Sequence, residues 1–150
     1  MGKSLGTGYR AWLDIVANAD LIDAPIRPLV ESLNRATWAH TIFSCAGHPE
    51  EPDSIQTGRR QAHVDLLISD EPRWYAFIAA VKRTARGVRV TDGDLGDPPA
   101  WLPSQLPAGV WRYRRLVLEP TPYDQPAGAC RRTLDAALTA AVRALEEAAC

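Results

Sequence analysis

The sequence lacks several features that would have assigned it to a class at once. No apolar run approaches the roughly 20 residues needed to cross a bilayer, so no transmembrane helix is expected. The opening Met1-Gly2-Lys3-Ser4-Leu5-Gly6 has no apolar core of a signal peptide and misses the myristoylation pattern at Gly6. A cytoplasmic protein is the expectation. Cysteine is scarce: Cys45, Cys130 and Cys150 are odd in number and follow no disulfide spacing, which argues for a reducing compartment. There is no surplus of positive charge. Seventeen basic residues against eighteen acidic ones leave a net charge of −1, which disfavours a dedicated nucleic-acid binder. Lysine is nearly absent, at Lys3 and Lys82 alone, so arginine carries the positive charge.

What remains is a chain of 150 residues, 46% hydrophobic and 23% charged, the balance of one ordinary globular domain. A chain of this length buries roughly 68–70% of its unfolded surface, so its core needs neither disulfide nor metal. Tyr9, Trp12, Leu13 and Val16 repeat at helical spacing and predict a helix over about Ser4–Asn18. Ile26, Leu29, Val30 and Leu33 predict a second, with Asp23 as its cap and Pro25 in the first turn. The period then changes to two. Trp38–Ser44 and Gln61–Ser69 predict strands joined by a long polar loop, Cys45–Arg60. Asp70, Pro72 and Gly87 bracket a helix over Glu71–Arg86 whose stripe is Trp74, Phe77, Ile78 and Val81. Val88–Thr91 predicts a short strand, Asp92–Gly109 a second long loop, Val110–Glu119 a fourth strand and Ala127–Ala148 a last helix. The order α-α-β-β-α-β-β-α predicts a single-domain α+β fold, a mostly antiparallel four-stranded sheet with helices on one face.

Reactive side chains concentrate where the first strand ends, in His40-Thr41-Ile42-Phe43-Ser44-Cys45-Ala46-Gly47-His48. Gly47 permits a turn with positive φ that would present the Cys45 thiol beside free backbone N–H groups. Cys45 and His48 can then act as nucleophile and base, or as two ligands of a transition metal such as zinc or iron. On the next strand His63 and Asp65 share a face, and a strand pairing that sets His40, Ile42 and Ser44 opposite them brings His63 in as acid, base or further ligand. Asp65 would orient a histidine, and His40 is the weakest candidate ligand. The plain alternative is a polar, solvated sheet face. Arg112 and Arg114 share a face of the fourth strand and, with Arg89, suggest a row that binds an anion. Trp101, in the proline-rich loop, is a candidate lid over a ligand. The acidic run Asp92, Asp94, Asp97 lacks calcium-loop spacing and reads as a turn.

The segment Ile26–Ile68, under a third of the chain, carries the helix Ile-x-x-Leu-Val-x-x-Leu-Asn followed by Thr41-Ile42-Phe43-Ser44-Cys45-Ala46-Gly47-His48. It resembles small bacterial and phage proteins with a Ser-Cys-x-Gly-His turn. More distantly it is similar to the tRNA methyltransferases of wybutosine synthesis, where a Ser-Cys-Ser-Gly-Arg turn follows a comparable strand. That resemblance implies a ligand-facing turn at Ser44, Cys45, Gly47 and His48, and, through the transferases, S-adenosylmethionine or tRNA as ligands. His48 stands where the transferases have arginine. The residues thus lead to a small enzyme acting on a polar or anionic small molecule, with a non-catalytic binding module gripping through loops 45–60 and 92–109, or an RNA-modification accessory, as alternatives.

Overall fold

The structure, a computed structural model, describes residues 22–98, 100 and 110–148. The expected helix over Ser4–Asn18 and the candidate lid Trp101 lie outside the described residues. A 3-10 turn, Ala24–Ile26, leads into α1 (Arg27–Arg35); β1 (Ala39–Cys45), a short α2 (Ser54–Thr57), β2 (Ala62–Ile68), α3 (Glu71–Thr84), β3 (Val88–Gly96), β4 (Arg112–Pro120) and α4 (Ala127–Ala148) follow.

The four strands form one antiparallel sheet in the order β1-β2-β4-β3. Strict alternation fixes its two faces. Val64, Leu66 and Ile68 of β2 and Leu116 and Leu118 of β4 point to one side. There they join the apolar stripes of α1, α3 and α4 in a single core. Trp74 and Phe77 of α3 and Leu134 of α4 are fully buried in it. Each such side chain contributes roughly 1.5–3 kcal/mol of burial free energy. The α+β architecture expected from the periodicity is the one observed.

The α3 signals act as read. Asp70 accepts a hydrogen bond from the Arg73 N–H at 3.1 Å and Pro72 occupies the first turn. The helix stops at Thr84, two residues earlier than expected, because Ala85 is already extended.

Three local expectations require correction. The strand expected over Val88–Thr91 runs on to Gly96, taking in the acidic stretch expected as loop. Its charges have partners that hold it in the sheet: Asp92 accepts from the buried Trp74 indole at 2.9 Å, and Asp94 faces Arg114 across the ladder. The Cys45–Arg60 connection contains the helical turn α2. It is tied down by Arg60, which is buried and donates to Ser54 Oγ and to the backbone carbonyls of Tyr123 and Gln125. Finally, β1 is irregular. Thr41 pairs with Leu66 and Phe43 with Asp65, so Ile42 is an extra residue, a β-bulge.

Candidate metal centre at the end of the first strand

The bulge decides what β1 presents. Because of the extra residue, Ser44 pairs with Val64 on the helix side, whereas Phe43 and Cys45 pair with Asp65 and His63 on the opposite face. The regular strand implied by the sequence would have set His40, Ile42 and Ser44 together against His63 and Asp65. His40, registered with Leu67, instead packs its ring against Trp111 at 5.0 Å between centroids.

Beyond Cys45 the chain turns sharply. Gly47 adopts φ +83°, the left-handed conformation its position suggested. A Cβ there would lie 3.0 Å from Leu134 Cδ1 and 3.2 Å from the Gln61 carbonyl oxygen, so both conformation and space select glycine. The backbone N–H groups of this turn are all engaged rather than free. Ala46 N–H donates to Asp23 Oδ2 at 3.1 Å, Gly47 N–H to Cys45 Sγ at 3.4 Å, and His48 N–H to the Arg59 carbonyl oxygen. From the other side, Arg131 of α4 donates to the Ala46 and Gly47 carbonyl oxygens at 2.9 and 3.0 Å. The turn is therefore clamped by a carboxylate ahead of α1 and a guanidinium on α4.

This clamp gathers three donors of different kinds. Asp23, Cys45 and His48 each offer a ligand atom, and these lie within 4.8 Å of one another. His48 Nε2 stands 3.7 Å from Asp23 Oδ2. Donors around a tetrahedral zinc ion are separated by about 3.3–3.8 Å, given bond lengths of about 2.0–2.3 Å. His48 and Asp23 are already close to that spacing, and Cys45 lies within 4.8 Å of both, so an ion would draw the three groups inward. The side chains of His48 and Asp23 remain 33% and 39% exposed, so the centre opens to solvent.

Asp23 was not among the candidates. Its place just ahead of a proline-led turn made it look like a helix cap, yet its side chain caps nothing there and crosses to Ala46 instead. The single signal in the sequence was an acidic residue at that position, which capping accounts for equally well.

The other candidates are occupied differently. Asp65, almost fully buried, is gripped by Arg115 through two hydrogen bonds of 2.6 and 2.9 Å. Arg115 was not anticipated as its partner. This bidentate pair answers the cost of a carboxylate in mid-strand. His63 lies beside the pair and outside the Asp23–Cys45–His48 group. Burial lowers its pKa below the usual 6.5, an effect that Asp65 opposes and Arg115 reinforces. Burial lowers that of His40 as well.

Arg112 and Arg114 share a face, but it is the helix side, since they register with Ile68 and Leu66. Arg89, registered with Glu119, is on the other face and pairs with that residue at 2.7 Å. Glu71 takes Arg112 at 3.1 Å and stands 3.7 Å from Arg114, which also donates to Tyr75 Oη at 3.3 Å. The arginine row is thus largely neutralised within the protein. Comparison of the chain with protein-family models, curated proteins and solved structures finds no match.

Proposed function

We propose that this protein is a small metal-dependent enzyme in which Asp23, Cys45 and His48 hold a divalent transition ion, zinc foremost, and act on a polar small molecule. One observation carries the reading: an oxygen, a sulfur and a nitrogen donor converge within 4.8 Å at a solvent-facing turn. A thiolate–imidazole–carboxylate set suits zinc, and three protein ligands leave a coordination position for water or substrate, the arrangement of catalytic rather than structural sites. A bound ion there would polarise a substrate carbonyl or phosphoryl group, or lower the pKa of a bound water toward neutrality. The turn is suited to such a role because Asp23 and Arg131 fix its backbone, which limits the reorganisation that binding requires.

Cobalt(II) titration tests the reading directly, because cobalt bound to a thiolate absorbs strongly in the near ultraviolet. One equivalent should produce that band in the wild-type protein, and zinc should displace it. Cys45→Ser should abolish the band, while His48→Ala and Asp23→Asn should weaken binding by about 10–100-fold or more. A protein that takes up no stoichiometric ion, or a band that survives Cys45→Ser, would overturn the proposal.

A second reading has support in the Gly47 N–H contact to Cys45 Sγ, which suits a thiolate. In that case Cys45 is a nucleophile and His48 its base, oriented by Asp23. It requires metal-free protein whose alkylation by iodoacetamide is slowed in His48→Ala.

A further inference from the structure

The opposite end of β1 carries a cavity of about 280 Å³, near the lower end of the range for small-molecule sites. It opens between the last turn of α1, the Ala36–Trp38 connection, the first turns of α3 and the end of α4. Trp38 precedes β1 and Cys45 closes it, so at about 3.3 Å per residue the cavity lies roughly 20 Å from the candidate metal centre.

We infer that this cavity is a second ligand site, built for a small aromatic carboxylate. Trp38, 7% exposed, lines the cavity together with Ala76 and Leu145. Arg35 from α1 and Arg73 from α3 line the same cavity, as does Glu146. Neither arginine is firmly committed elsewhere. Arg35 donates to the Ser32 hydroxyl at 2.9 Å, a neutral partner. Arg73 is 61% exposed and reaches Asp70 at 3.3 Å in a surface pair three residues apart on the helix, a geometry that contributes little.

Arg73 also lies in the first turn of α3, where the aligned peptide dipoles disfavour a cation and favour an anion. A carboxylate reaching both arginines would meet donors whose planar fork matches it. The apolar part of the lining, Ala76, Leu145 and the exposed margin of Trp38, suits a small ring. The size, the apolar lining and the two arginines together suit a small ring-bearing acid.

Benzoate is the probe, and the indole N–H resonance of Trp38, assigned by its loss in Trp38→Phe, is the readout. Titration of the wild-type protein with benzoate should shift that resonance to saturation. Neutral benzamide, of the same shape, should bind at least about tenfold more weakly, the discrimination expected when charge-assisted contacts are lost. Arg35→Gln/Arg73→Gln should reduce benzoate affinity by about tenfold or more while leaving benzamide binding unchanged. A shift that grows without saturating, or equal affinity for benzoate and benzamide, would refute the site, and both measurements use the wild-type chain alone. None of them involves the metal centre, so the two proposals stand or fall separately.

Discussion

His63 concentrates the consequences of one buried position. It sits beside the Asp65–Arg115 pair, and burial outweighs the attraction of Asp65, so its folded pKa is below the usual 6.5. The sign of the effect follows from proton linkage. On acidification through about 6.5 the unfolded chain takes up protons that the folded chain does not, which favours unfolding. Stability should be highest above that pH and should decline as pH falls toward the folded value, with His40 adding in the same direction. Urea denaturation between about pH 7.5 and pH 5 is expected to show this slope, and His63→Gln to flatten it. An unchanged slope in that variant would remove His63 as the source. At this scale the sequence was partly legible. Gly47 could be read, since few residues other than glycine suit a left-handed turn behind a strand. Asp23 and Arg115 could not, because their partners are 23 and 50 residues away in the chain and only the folded sheet brings them near.

At the scale of elements, the N-terminal part of α4 does two jobs. Leu134 enters the core, while Arg131 reaches the turn after β1 and binds two carbonyl oxygens that no strand or helix serves. Arg131→Met keeps most of the apolar stem and removes the donors. With the side chain 20% exposed, water replaces part of what is lost, and a cost of about 1–3 kcal/mol is expected. Hydrogen exchange at residues 46–48 should accelerate, since opening the turn becomes easier. Unaltered stability and exchange would mean that the turn is held without Arg131. Most elements were legible because a helix with a capping Asp and a proline, or a strand with alternating apolar residues, states its own limits. The last five residues of β3 were not. An Asp-Gly-Asp run carries loop propensities, and here tertiary pairing with Trp74 and β4 overrides them. The bulge at Ile42 was equally hidden, since nothing local distinguishes it from its neighbours, yet it determines that Cys45 rather than Ser44 shares a face with His63.

For the whole molecule, one core joins the helices to the sheet, so ligand binding at any clamped point should register in global unfolding. If the three-donor centre binds zinc, a hundredfold excess over Kd adds about 2.7 kcal/mol, which in a chain of this size raises Tm by about 5–10 °C. Calorimetry with and without zinc measures this directly, and chelator should reverse it. The same scan on Asp23→Asn should show a gain of only about 0.4–1.4 kcal/mol for a 10–100-fold loss of affinity, and less if the loss is greater. The overall architecture was legible from the order of periodicities, whereas the strand order β1-β2-β4-β3 was not, because local pattern does not say which hairpin edges meet.

That strand order leaves β1 at a margin of the sheet, where unpaired amides invite a neighbouring chain to add a strand. Asn34 of α1 accepts from the Thr41 N–H at 2.9 Å and donates its side-chain N–H to the Thr41 hydroxyl oxygen at 2.8 Å, while Asp23 accepts from the Ala46 N–H. Between these two points Ile42 breaks the repeat. A strand capped by Asn34 of α1, bulged at Ile42 and tied by Asp23 just past its end offers an intruder no continuous ladder. By taking the Ala46 N–H just past that strand, the carboxylate of the candidate metal centre is expected also to discourage fibril-like growth at this edge.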